Sequence, residues 1–149
     1  MVNSTAGVYF HILRQIDRTY INGRLITEMV NVVGLKPGMT FFDLGSGIGN
    51  VVIQAALVSG CSSYGIEILD VTNDVAQDVS KVFLERCRLW GLEAGPHALY
   101  HGDFCDHETV RKHITNADVI LANNFVFSPQ RMFWPHPLSI MILIVACSE

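Results

Sequence analysis

The sequence predicts an α/β fold with a parallel sheet, and three observations carry that prediction. Short apolar runs alternate with helix-patterned segments along most of the chain, the signature of strand–helix–strand units with right-handed crossovers. The first well-defined run ends in "FFDLGSGIGN" (41–50), an acid followed by glycines at alternate positions 45, 47 and 49. Polar residues then stand at the ends of the next three runs, at Glu67, Asp103 and Asn123. In a parallel sheet these ends share one side, where ligands bind.

The chain has 149 residues, enough for one domain around a single core. Half of the residues are apolar and 16% are charged, a globular composition. The positive mean hydropathy fits strands buried on both faces. No apolar run approaches the roughly 20 residues of a membrane helix, and no charged-then-apolar leader is seen at the N-terminus. Four scattered cysteines with no C-x-x-C pair argue against zinc and against a disulfide framework, and fit buried thiols in a reducing compartment. The net charge is −4 and Lys and Arg do not cluster, so no basic DNA-binding patch is expected.

Taken in order, Val8–Ile16 has weak helical spacing of apolar residues. Leu25, Ile26, Met29, Val30 and Val33 predict a helix over Gly23–Val33, stopped by Gly34 with Pro37 beyond it. Thr40–Leu44 reads as a buried strand, and Asn50–Val58 as a helix apolar nearly all round. Ser63–Ile68 is the second strand. Val71–Trp90 is an amphipathic helix with Val75, Val79, Val82, Phe83, Arg86 and Trp90 at helical steps, closed by Gly91. Ala98–His101 is the third strand, Asp106–Ile114 a short helix with Asp106 as N-cap, and Asp118–Asn123 the fourth strand. Pro129, Pro135 and Pro137 break the pattern. The apolar run Leu138–Cys147 is expected to pair beside the fourth strand, reached by a parallel crossover through residues 125–137. The chain thus divides into an N-terminal helical or loop segment (1–22), a core (23–128) and an apolar tail (129–149).

The glycine turn has a physical purpose. Gly45 and Gly47 let the backbone approach a ligand that a Cβ would exclude, and Gly49 lets the following helix pack closely on the sheet. Backbone N–H groups at the helix start are expected to face polar ligand atoms. The dinucleotide pattern G-x-G-x-x-G fails, because its third slot counted from Gly45 is Asn50, and counting from Gly47 gives no match either. The observed D-x-G-x-G-x-G resembles the first motif of class I S-adenosylmethionine-dependent methyltransferases. Glu67 at a strand end can accept from two ribose hydroxyls. Asp103 can accept from an adenine amine while Phe104 supplies an apolar wall. Asn123, Asn124 and Phe125 close the fourth strand. Each also has an ordinary reading: a structural turn, a solvated acid, a capping Asp, a plain loop.

Together, "DLGSGIGN" (43–50), "YGIEI" (64–68), "GDF" (102–104) and "VILANNFVF" (119–127) resemble the non-SET histone H3 lysine methyltransferases, the disruptor-of-telomeric-silencing family. The resemblance runs from about Tyr20 to Ser128. It implies a class I, Rossmann-like methyltransferase fold and methyl transfer from S-adenosyl-L-methionine to a lysine of histone H3 in the nucleosome core. Chromatin regulation, telomeric silencing and a nuclear location go with it; no membrane role does. Carried onto this chain, Asp43, Gly45, Gly47 and Asn50 would border the methionine part and the turn. Glu67 would hold the ribose, and Asp103 and Phe104 the adenine. Asn123 would orient the methionine end near the sulfonium, and Phe125 and Phe127 would wall a lysine channel. Such an apolar wall favours the neutral amine that methyl transfer requires.

Two features depart from the family pattern. The family's Tyr-Gly-Glu loop corresponds to "YINGRL" (20–25), with Arg24 where the acid would fall. After Ser128 the resemblance stops, so the sheet is expected to be incomplete at its C-terminal end and the lysine channel open on one side. The competing readings are a class I methyltransferase for another substrate and a catalytically incomplete cofactor-binding fragment.

Overall fold

The computed structural model describes residues 23–122 and the backbone of 141–144. The weak helical spacing at Val8–Ile16 lies outside the described residues. Helix α1 (Gly23–Val33) buries Ile26, Met29 and Val30, the residues its three- and four-step spacing selects. It ends as predicted at Gly34, whose φ of +73° only glycine adopts without strain. The N–H groups of Gly34 and Leu35 both return to the Val30 carbonyl, satisfying the last turn.

Strand β1 (Thr40–Leu44) is the centre of the sheet. Its side chains alternate between faces, so Phe41 and Phe42, both fully buried, enter two different cores. Phe41 packs with α1 and with helix α2 (Asn50–Ser59), joining Ile26, Met29, Val30, Val51 and Ala55. Phe42 faces helix α4 (Glu108–Thr115), among Ile66, Val110, Ala117 and Ile120. Strand β2 (Ser62–Glu67) lies beside β1, and strand β3 (His97–His101) beside β2. Between them runs helix α3 (Asp70–Trp90), closed by Gly91 with its N–H on the Cys87 carbonyl. Strand β4 (Val119–Ala122), buried along its whole length, returns to the other side of β1.

The order is β3-β2-β1-β4-β5, with β1–β2, β2–β3 and β1–β4 parallel. The chain reverses its direction of travel between β1 and β4. That switch point, at the carboxyl ends of the strands, is where an open α/β sheet leaves a crevice. This is the class I methyltransferase, Rossmann-like architecture that the sequence predicts.

Two expectations are corrected. Strand β5 (Met141–Ile144) does pair with β4, but antiparallel, with Val119 opposite Ile144 and Ala122 opposite Met141. Antiparallel pairing does not require a crossover to carry the chain back to the starting edge. The N-cap of α4 is His107, whose Nδ1 accepts from the Val110 N–H at 3.4 Å, and Asp106 instead lies in the turn before it. Helix α3 is amphipathic as read; its buried residues are Ala76 and Cys87, and of the stripe Val82 and Trp90 remain 47% and 67% exposed.

Candidate functional site

The glycine turn sits at the carboxyl end of β1, directly above the switch point. Gly45, Gly47 and Gly49 have φ values of +80°, +55° and +79°, so all three occupy the left-handed region that disfavours a Cβ. Their surroundings differ. A Cβ on Gly49 would come within 2.6 Å of Leu99 Cδ1 on β3, which is the close helix–sheet packing foreseen for this position. A Cβ on Gly47 would meet nothing within 4 Å, so the backbone there borders open space. Gly65, in the middle of β2, was not singled out. A Cβ there would lie 2.6 Å from Ser46 Cβ and 2.7 Å from Val52 Cγ2, so its absence lets the turn lean on the neighbouring strand. A glycine inside a strand is the signal that marks such an approach.

The turn's own donors are mostly occupied. Gly45 and Ser46 both donate to the Ile66 carbonyl, and Gly49 donates to the Ser46 carbonyl. Gly47 N donates to Glu67 Oε2 at 3.0 Å, while Leu69 N donates to Oε1 at 2.9 Å. Thus the expected offer of these N–H groups to a ligand is largely withdrawn into the fold. What the turn presents is a bare backbone surface with a carboxylate fixed beside it. Glu67 is 8% exposed and ends β2 as predicted. Each of its oxygens retains acceptor capacity beyond the backbone bond it already has.

Asp43 lies next to Glu67, 3% exposed, and among the described residues no hydrogen bond reaches its carboxylate. Burial, and then the negative charge of Glu67, push its carboxyl up to about 7. A cation or donor placed above it would reverse that shift. Gly102, at the end of β3, donates to the Glu67 carbonyl at 2.9 Å and so brings the next loop against the same strand end. There Asp103 Oδ1 accepts from Cys105 N at 3.0 Å, shaping a tight turn, and Phe104 packs partly buried on the Phe42 core. His101, also not foreseen, joins Asp70 Oδ1 at 3.0 Å and clips the end of β3 to the start of α3.

Asp43, Gly45, Gly47 and Glu67 are thus gathered in one place, with Asp103 and Phe104 one strand further out. Asn50 opens α2 and lines a groove between α2 and α3. Arg24 stands in the first turn of α1, 89% exposed, its Nε 3.0 Å from Glu28 Oε1. Ala122 pairs with Leu44 at the end of β4, beside the turn; Asn123, Phe125 and Phe127 follow it and lie outside the described residues.

Known proteins resemble this chain in sequence and in fold. Residues 19–133 match the family model "Histone methylation protein DOT1". A protein of Emericella nidulans named "Histone-lysine N-methyltransferase, H3 lysine-79 specific" is 41% identical over 128 residues, 86% of this chain and 24% of that protein. A protein of the same name from Kluyveromyces lactis is 42% identical over 133 residues, 83% of this chain and 23% of its own length. The chain therefore spans about a quarter of the length of these curated relatives. Among solved structures, a SAM-dependent methyltransferase from Thiobacillus denitrificans superimposes with a TM-score of 0.50 at 16% identity, covering 76% of this chain and 54% of the other. That likeness bears on the fold, and the sequence match bears on descent. By sequence, the chain belongs to the DOT1 histone methylation family.

Proposed function

We propose that this chain binds S-adenosylmethionine against the Gly45–Gly49 turn and transfers its methyl group to a lysine of histone H3. The observation that carries the reading is the open space over Gly47, bordered by the Glu67 carboxylate and with the buried Asp43 beside it. When bound, the cofactor supplies an electrophilic methyl group on a cationic sulfur. Glu67, held by Gly47 N and Leu69 N, is oriented to accept from the ribose hydroxyls through its remaining lone pairs. Asp43 provides negative charge at the end of β1, where the cationic methionine portion would lie. Asp103 and Phe104 would border the adenine, and Asn50 the turn. Asn123, which follows Ala122 in the sequence, would orient the methionine end. Phe125 and Phe127 would form an apolar wall that disfavours the charged lysine and holds the neutral amine in line.

The names of the relatives support lysine 79 of H3 as the target; the nucleosome as its setting and the nucleus as its place belong to this reading. A net charge of −4 opposes approach to DNA phosphates, so transfer to nucleosomes by this chain alone is expected to be slow. The test has two arms. Isothermal titration with S-adenosylhomocysteine should show saturable binding. Radiolabelled methyl transfer should label H3, in recombinant nucleosomes or as the free histone. Binding of NAD with no response to S-adenosylhomocysteine would overturn the cofactor reading. Cofactor binding with labelling of neither H3 substrate would overturn the substrate reading.

A further inference from the structure

Two loops leave the sheet side by side where β2 and β3 end. Glu67 closes β2 and pairs in register with His101, the last residue of β3. Just past this pair Gly102 N donates to the Glu67 carbonyl at 2.9 Å. Gly102 has a φ of +136°, and the chain turns there into Asp103 and Phe104. A glycine has more backbone freedom than any other residue. The strand pairing therefore does not by itself fix where Asp103 stands relative to Glu67.

His101 ties the two loops together. Its Nε2 lies 3.0 Å from Asp70 Oδ1 and 3.2 Å from the carbonyl oxygen of Ile68. A carbonyl and an ionised carboxylate can only accept, so Nε2 carries a proton and donates, whether the ring is neutral or charged. Ile68 and Asp70 flank Leu69, and the Leu69 N–H holds Glu67 Oε1 at 2.9 Å. Leu69 is also the N-cap of α3, and its side chain provides no capping bond, so the start of that helix is set by contacts from outside it. On one side, then, His101 fixes the backbone that orients the Glu67 carboxylate. On the other it holds the residue from which the Gly102 turn departs. Asp103 follows in a turn closed by its own bond from Cys105 N at 3.0 Å.

We infer that His101 is a positioning residue for the cofactor. It keeps the Glu67 loop and the Asp103 loop in the mutual position that grips one adenosine, with the ribose on the first and the adenine on the second. The inference rests on the cofactor reading given above, and His101 acts through Glu67 and Asp103. The clip is at the surface, with side-chain exposures of 43% for His101 and 87% for Asp70, so it adds little to global stability. Its effect is on binding, because loops held in place beforehand lose less freedom when the ligand arrives.

The experiment is isothermal titration of the full chain with two ligands, S-adenosylhomocysteine and methylthioadenosine, which has the same adenosine without the amino acid. His101→Ala should weaken both by the same factor, about five- to tenfold, while urea unfolding barely moves. His101→Gln puts an amide NH2 where Nε2 stood and should recover affinity to within about twofold of the wild type. His101→Asn, whose amide reaches only as far as Nδ1, should be as weak as His101→Ala. Should His101→Ala fail to fold, judged by circular dichroism, the comparison of His101→Asn with His101→Gln carries the test. Wild-type binding of both ligands with no change in His101→Ala would overturn this inference alone. So would a loss confined to S-adenosylhomocysteine, which would place the effect at the methionine end, or a His101→Gln as weak as His101→Ala. A wild type that binds neither ligand would overturn the cofactor reading, and this inference with it.

Discussion

Gly47 and Glu67 are 20 residues apart in the chain, yet the N–H of one donates to Oε2 of the other at 3.0 Å. The bond ties the open crest of the glycine turn to the end of the neighbouring strand. The second oxygen of the same carboxylate accepts from Leu69 N, so Glu67 is fixed from both sides before any ligand arrives. A group oriented in advance loses less freedom on binding.

Glu67→Gln therefore has two expected effects. The amide NH2 must face one of two backbone donors, leaving a donor against a donor, which should lower stability by about 1–2 kcal/mol. Loss of the charged acceptor should also weaken S-adenosylhomocysteine binding roughly tenfold to a hundredfold. Denaturant unfolding and isothermal titration read the two effects separately. Equal affinity of the two versions would remove Glu67 from the ligand site.

Asp43 governs a pH dependence. Its carboxyl stands at about 7 in the folded chain against 3.8 for the free side chain, raised first by burial and then by Glu67. Between those values the unfolded chain has lost the proton and the folded chain keeps it. Stability from this group is thus fully present below about pH 4, falls as pH rises to about 7, and is flat above. The total is on the order of 4 kcal/mol. Urea unfolding from pH 4 to 8 should show a wild-type slope that Asp43→Asn removes. Parallel curves for the two proteins would mean that Asp43 is ionised throughout. Because a cationic ligand favours the ionised form, S-adenosylmethionine affinity should rise through the same upper pH range in the wild type only.

Gly49→Ala tests the packing of the turn. The φ of +79° and a Cβ placed 2.6 Å from Leu99 Cδ1 should together destabilise the fold by about 1–3 kcal/mol. Leu99→Ala in the same chain relieves the contact but not the backbone strain. The double variant should therefore lose less than the sum of the two single losses. Simple additivity in thermal unfolding would show that Leu99 is not the group that Gly49 accommodates.

Arg24→Glu should leave stability within about 0.5 kcal/mol, because the Arg24–Glu28 pair it removes is at the surface and the new acid suits a helix N-terminus. If the start of α1 meets the cofactor, removing a cation there should tighten S-adenosylmethionine binding severalfold at low salt, fading as salt is added. A dissociation constant that does not move at low ionic strength would place Arg24 away from the site.

The sequence by itself determined the order of elements from Gly23 to Ala122 and the class of fold. Hydrophobic period and turn glycines are local signals, and both Gly34 and Gly91 end their helices as read. It also determined which residues stand at the strand ends, since Asp43 and Glu67 follow from where each apolar run stops. Residues that act through distant neighbours were not legible. Gly65 matters because Ser46 and Val52 approach it across the sheet. The N–H groups of the turn are occupied because Ile66 and Glu67 lie beside them. The direction of β5 was beyond reach for a related reason. An apolar run looks alike read either way, and only its partner β4 decides that Met141–Ile144 runs antiparallel. The stripe on α3 gave an amphipathic helix correctly, but what covers an apolar face depends on which other segment reaches it. That is a property of the folded chain and not of the stripe.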